Sequence, residues 1–414
     1  MRFLSGYFTT SAISLGFLSA LSASAFIYLY RFGFVFPYFQ ALLGLLSLLF
    51  WLKLPKTALF WSGLLTGIFW FWWIGLSFRY YDLTWMIPLV IPAVGLVYGV
   101  LFGAVGLLPH PALRAVAIGV MEYIHPFGFD WFRPALLFVH TPFGERLWQF
   151  WVILAVLTIV LSCKHKARFL ALFGLFFALY RPPQHLSPAQ LADLRQNLFL
   201  APTRLPQDLK WSPRYRGLII QNNLAKIKQA IHAGKKAVIL PESAFPLYLN
   251  RDMELTRTLL DLSAKITILT GALFYDRNPY NSAYLFQNKK MRVMHKVVPV
   301  PFGEASPLPL WMSRWINTLF FDGAKDYASA KSPSDFSMAG YTWRNAICYE
   351  ATSDRLFAGN PRLMAAMSNN AWFTPSTQST LQRLLLQLQA DRHGTVIFHV
   401  TNGPGTDVIV PREK

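Results

Sequence analysis

The sequence predicts a multi-span α-helical membrane domain followed by an α/β domain. Three observations carry the expectation. Apolar stretches close to bilayer length recur until about residue 182. Beyond that point short apolar runs alternate with helical segments, the pattern of a layered α/β unit. Within that second half Glu242, Lys296 and Cys348 each follow an apolar run in a distinctive local motif.

Composition agrees with a chain that lives partly in lipid. Of 414 residues, 54% are hydrophobic and only 14% charged, against about half and about a quarter in soluble proteins. The length suffices for two domains, each with its own core. The net charge of +19 is spread over both halves: residues 1–182 hold 12 Lys and Arg against 4 Asp and Glu, and the rest hold 27 against 16. There is no Arg-rich stripe or nucleic-acid motif, so nucleic acid is not expected as a partner. Attraction to anionic lipid headgroups accounts for the charge more simply.

Seven spans are expected, at about 8–30, 33–52, 57–78, 84–108, 111–124, 147–163 and 167–180, the fifth and seventh being short. The first has no flanking cleavage site and is too long for a signal peptide alone. Lys53, Lys56, Arg114, Lys164, Lys166 and Arg168 follow the second, fourth and sixth spans in short loops, whereas Arg31, Arg79, Arg133 and Arg146 fall on the other side. The positive-inside rule then puts the amino terminus in the cytoplasm. With an odd number of spans, the second half faces the periplasm from the inner membrane.

After Pro182, residues 183–210 are Pro-rich and then polar and read as a linker, and 211–414 as the catalytic domain. Strands are expected at 216–221, 237–240, 266–274, 283–286, 346–349, 363–368 and 396–401. Helices are expected at 226–233, 253–264 and 379–393.

Candidate chemistry lies at the ends of these runs. Glu242 sits in Val-Ile-Leu-Pro-Glu-Ser-Ala-Phe-Pro (238–246), where a carboxylate emerges from a strand's carboxyl end or caps a following helix. Lys296 opens Lys-Val-Val-Pro-Val-Pro-Phe-Gly-Glu (296–304), a stiff loop in which a desolvated lysine can face a negative partner. Glu304 reads equally as a surface acid or as support for the site. Cys348 opens Cys-Tyr-Glu and is one of two cysteines, the other being Cys163 near the opposite membrane face, so no disulfide is expected. A free thiol there is either a small buried hydrophobe or a nucleophile. The 9 histidines show no spacing with carboxylates or thiols that suits a metal, and no cofactor is expected.

These residues resemble the nitrilase superfamily, with its Glu-Lys-Cys triad on an αββα sandwich, and in finer detail its membrane-fused branch, the apolipoprotein N-acyltransferases. Pro241-Glu242-Ser243 is similar to the glutamate motif of that branch, and Lys296 to Glu304 matches its lysine motif with the same spacing. Asn281 in Tyr-Asn-Ser, Cys348-Tyr349-Glu350, Ser368-Asn369-Asn370-Ala371-Trp372-Phe373 and Thr401-Asn402-Gly403 have counterparts in the same order. Residues 67–77 and Glu122 in the membrane half look similar to family segments too.

The resemblance implies two-step acyl transfer from a phospholipid to the free amine of a diacylglyceryl apolipoprotein, through a Cys348 thioester. Glu242 would be the base. Lys296, with the Tyr349 amide, would hold the oxyanion. Glu304 and Glu350 would orient the charged groups, Asn281 and Asn369 would support them, and Trp372, Phe373 and Trp311 would either line an acyl path or fill a core. Two departures stand out: the family usually has Asp at Asn370 and His near Thr380. Its pattern also continues past the position of Lys414 into further strands and an eighth span, so the catalytic domain is expected to be shortened at its carboxyl end. A membrane-tethered amidase with the same triad, or a non-catalytic envelope scaffold, is the alternative reading.

Overall fold

The computed structural model describes residues 6–163, 167–308 and 326–413. Among the described residues, three helical segments are long and apolar enough to cross a membrane: Thr10–Arg31, Lys56–Tyr81 and Thr84–Gly106. Four shorter apolar helices occupy the other expected spans, at Pro37–Lys53, Pro111–Val120, Leu147–Ser162 and Arg168–Ala178. Lys164 and Lys166, used above for orientation, lie outside the described residues.

Small residues let these helices approach closely. A Cβ on Gly63 would lie 2.3 Å from the Tyr98 carbonyl oxygen, and one on Gly95 would lie 2.8 Å from that of Leu64. Gly63 and Gly67 thus mesh with Gly95 and Gly99, four-residue spacings that put small faces together where no hydrophobic effect drives association. Hydroxyls add polar links between helices: Ser19 to Ser62 at 2.8 Å and Ser47 to Ser22 at 3.0 Å.

The second half is an αββα sandwich of two sheets. Strands β1 (Leu198–Leu200), β2 (Ala237–Ile239), β4 (Thr267–Asp276), β5 (Asn278–Gln287) and β6 (Lys290–His295) form one sheet in that order, with β3 (Phe245–Tyr248) paired to β4. The other runs β11 (Asp407–Ile409), β10 (Val396–Asn402), β9 (Leu363–Asn369), β8 (Tyr341–Ile347) and β7 (Asp335–Met338). Ile239, Leu269 and Leu285 of the first sheet meet Trp343, Met367 and Phe398 of the second in the central layer. Helices Pro213–His232 and Met253–Leu262 cover the outer face of the first sheet through Ile227, Ala230, Leu255 and Leu259. Helix Gln378–His393 covers the second through Leu386 and Ala390.

That last helix also binds the two halves together. Leu381, Leu384, Leu385 and Leu388 pack into the core of the membrane helices, each burial contributing about 1.5–3 kcal/mol. Two of its buried amides donate to backbone carbonyls: Gln389 to that of Thr352 at 2.8 Å, and Gln387 to that of Val410 at 3.0 Å.

Two expectations are corrected. Residues 216–221 are not a strand but part of helix Pro213–His232. The apolar run Leu-Ile-Ile suggested extended chain, but the buried positions Ile219, Asn223, Ile227 and Ala230 repeat at helical spacing, behind a proline in the first turn. The stretch read as a linker contains helix Pro188–Asn197 and strand β1, which pairs in parallel with β2.

Candidate active site

Three chain turns bring the candidate residues to one end of the sandwich. Glu242 follows β2 through Leu240 and Pro241, Lys296 comes directly after β6, and Cys348 directly after β8. Cys348 has φ 57°, a left-handed backbone that non-glycine residues adopt rarely, and it starts the single helical turn Cys348–Thr352. The turn swings the chain away, and Cys348 as a residue remains half-buried.

Around the thiol the charged groups are buried and linked. Lys296 is 2% exposed, and its Nζ lies 2.6 Å from Glu304 Oε2. Asn281 Nδ2 donates to Glu242 Oε1 and to Glu304 Oε1, both at 2.7 Å, so one amide holds both carboxylates. Glu304 Oε2 also accepts the Val300 N–H at 2.8 Å, closing its own loop. Glu350 is fully buried: its Oε2 accepts the N–H groups of Val297 (2.6 Å) and Val298 (3.0 Å), and its Oε1 that of Ile347 (2.8 Å). The lysine loop and the cysteine turn are therefore fastened to each other by one carboxylate.

Electrostatics follows from this packing. Burial pushes the Cys348 thiol up to about 12, and Glu242 adds to that while Lys296 pulls the other way. The resting thiol is neutral and needs a base at the moment of attack. For Lys296, burial lowers the pKa, but Glu304 and Glu242 outweigh it, so the group stays an ammonium. Burial raises Glu350 to about 7, against the opposing pull of Lys296 and the three backbone N–H groups.

The remaining candidates divide. Asn369, 4% exposed at the end of β9, belongs to the site, its side-chain amide lying 2.8 Å from Asn402 Nδ2 and 3.2 Å from Lys210 Nζ. The Tyr349 side chain turns away to the membrane half, where its ring stacks on Phe129 and Trp131 at 5.8 and 6.0 Å. Its hydroxyl donates to the Gly128 carbonyl at 3.0 Å and accepts the Asp130 N–H at 2.8 Å. Trp372 stacks on Tyr81 at 5.9 Å and Phe373 meets Trp73 edge-on at 4.8 Å, so both are interdomain contacts. Trp311 lies outside the described residues. Asn370 faces away from the thiol, donating to the Pro404 carbonyl at 2.8 Å and accepting from Gln378 at 3.3 Å; Thr380 is buried within helix Gln378–His393.

Sequence reasoning missed several residues. Lys210, 2% exposed, donates to the Glu242 carbonyl oxygen at 2.9 Å. Arg412 joins Glu145 of the membrane half and Asp391 of helix Gln378–His393, the latter at 2.7 Å. Arg392 meets Glu122 at 3.0 Å. Of these only Glu122 is singled out by the sequence, through the resemblance of its segment to the family. Among the described residues, no group of three His, Cys, Asp or Glu side chains is placed to share a metal ion.

A helical membrane domain fused to an αββα sandwich, with glutamate, lysine and cysteine brought together at the strand ends, defines a membrane protein with a candidate active site in its α/β half. Residues 10–181 match the family model described as the apolipoprotein N-acyltransferase integral membrane domain. The apolipoprotein N-acyltransferase of Wolinella succinogenes is 41% identical over 411 residues, covering 98% of this chain and 98% of that one. That of Helicobacter pylori is 36% identical, covering 90% and 87%. The chain belongs to the apolipoprotein N-acyltransferase family, a family of acyltransferases. Among solved structures, a CN-hydrolase superfamily protein of Xanthomonas campestris aligns at 13% identity and a TM-score of 0.37, covering 52% of this chain and 87% of that one.

Proposed function

We propose that this enzyme moves a fatty acyl chain from a phospholipid to the amino-terminal amine of a diacylglyceryl-cysteine on apolipoproteins, by way of a thioester on Cys348. The reading is carried by one observation: Cys348 lies within electrostatic range of the buried Glu242 and Lys296, while the next residue, Tyr349, is seated on aromatic rings of the membrane half. A nucleophile at that seam is within reach of lipid as well as of a polar head.

In the first step Glu242 takes the thiol proton as Sγ bonds to the ester carbonyl carbon. The ester C–O bond then breaks, and the lysophospholipid oxygen leaves with the proton from Glu242. In the second step the acceptor amine attacks the thioester carbon and gives its proton to Glu242. The C–S bond breaks, and the thiolate takes that proton back. Among the described residues, Lys296 Nζ has no partner beyond its ion pair with Glu304, which leaves donor capacity for the oxyanion of each tetrahedral intermediate. The loop charges support a periplasmic sandwich on the inner membrane; a reporter fused after β11 should then be active only when exported, and cytoplasmic activity would reverse that orientation.

Mass spectrometry of apolipoprotein amino termini tests the reaction. Wild-type protein given phospholipid and diacyl acceptor should yield a third, amide-linked chain, and Cys348→Ala should not. With phospholipid alone, the wild type should gain an acyl mass that hydroxylamine removes. Turnover by Cys348→Ala, or release of free fatty acid in place of acyl transfer, would overturn the reading.

A further inference from the structure

The segment that carries Glu242 is held from behind by side chains far away in sequence. On its sheet side it rests on Gly271 of β4, where a Cβ would lie 2.5 Å from the Ser243 nitrogen and 2.7 Å from the Glu242 Cα. Ser243 has φ 45°, so the chain turns sharply right after the carboxylate. Behind the turn is a cavity of about 570 Å³, lined by Lys210, Asn223, Ser243 and Ala244 among others. Two hydrogen bonds bridge that gap: Lys210 Nζ to the Glu242 carbonyl oxygen at 2.9 Å, and Asn223 Nδ2 to that of Ala244 at 2.7 Å.

Lys210 is more than a prop. It ends the short helical turn Gln207–Lys210 and is buried. Its ammonium stands 3.2 Å from the Asn369 amide, and Asn369 makes a backbone hydrogen bond that stabilises the Cys348 thiolate. The charges of Glu242 and Cys348 both favour its protonated form, while burial brings it down to about 8. Glu242 and Glu304 act on the thiol from the negative side and Lys296 from the positive side, and Lys210 stands within electrostatic range of the thiol.

We propose that Lys210 is a positioning residue for the reaction, its buried ammonium fixing the Glu242 main chain against the thiol and supplying a second positive charge beside Cys348. A lysine suits the place because its long stem crosses the cavity wall while its head has a carbonyl and an amide to meet. The role rests on the assignment of Glu242 and Cys348 as base and nucleophile, which is part of the proposed function.

The test is the rate at which N-ethylmaleimide labels Cys348 between pH 7 and pH 10, read by intact mass in a Cys163→Ala background at matched folded protein. Lys210→Met keeps the bulk and removes the charge. It should lower labelling at pH 7 by about tenfold, one unit of thiol titration, and the two profiles should converge above about pH 8, where wild-type Lys210 gives up its own charge. Lys210→Arg restores the charge and should bring the profile back toward wild type. A Lys210→Met profile that superimposes on wild type overturns the proposal, as does an equal shift in the Met and Arg variants, the mark of a purely structural role. The readout needs no lipid substrate. If the profile moves while the wild type transfers no acyl chain to apolipoprotein, the proposed reaction falls and the positioning role stands.

Discussion

Glu350 Oε2 accepts the Val297 N–H at 2.6 Å, so the acid two residues after the cysteine holds the backbone next to the lysine. The contact ties the backbone beside the lysine to the turn that carries the nucleophile. Glu350→Gln keeps the shape but turns an NH₂ toward backbone donors and leaves at least one buried N–H unpaired, at about 1–3 kcal/mol. Acyl-enzyme formation should fall by about ten- to a hundredfold as the lysine loop loosens. An unchanged single-turnover rate at matched folded protein would detach Glu350 from the site.

Lys296 is 2% exposed and paired with Glu304 at 2.6 Å, leaving little room for a wider head group. A planar guanidinium cannot occupy the place of a compact ammonium there. Lys296→Arg should therefore be nearly as damaging as Lys296→Ala, each losing about 10²–10³ in rate. Near-normal acylation by the arginine variant would remove Lys296 from the catalytic set.

Gly271 approaches the Glu242 main chain so closely that any side chain must displace it. Gly271→Ala should lower acyl-enzyme formation by at least about tenfold, in line with what a small misplacement costs a reacting group. Stability should fall as well, because the obstructing atoms are backbone. Full activity in this variant would mean that the Glu242 position tolerates movement.

Arg412 lies between two buried acids, Glu145 (1% exposed side chain) and Asp391 (0%). Arg412→Met leaves both carboxylates without their cation, a loss of about 3–5 kcal/mol for a broken buried pair. The melting temperature should drop, and hydrogen exchange should rise first in helix Gln378–His393, which packs on the membrane core. An unaltered melting temperature would show that the two acids are neutral or solvated.

The sequence by itself determined the two-part architecture, the apolar helices and the residues with chemical potential. Those properties are local. A membrane helix is a continuous apolar run, and Glu242, Lys296 and Cys348 each sit within one contiguous motif at the end of a strand whose pattern is visible. Tertiary structure alone decided what surrounds them. Lys210 falls in a stretch that reads as a linker, and its meaning appears only when folding brings it to the Glu242 carbonyl oxygen. The Tyr349 ring was legible as a neighbour of the thiol but not as an anchor on Phe129 and Trp131, some 220 residues earlier. Helix Pro213–His232 was half misread because a β-branched run looks extended until its burial against the sheet is known. In each case the deciding quantity is a contact between segments distant in sequence, and the periodicity of a single segment carries no record of it.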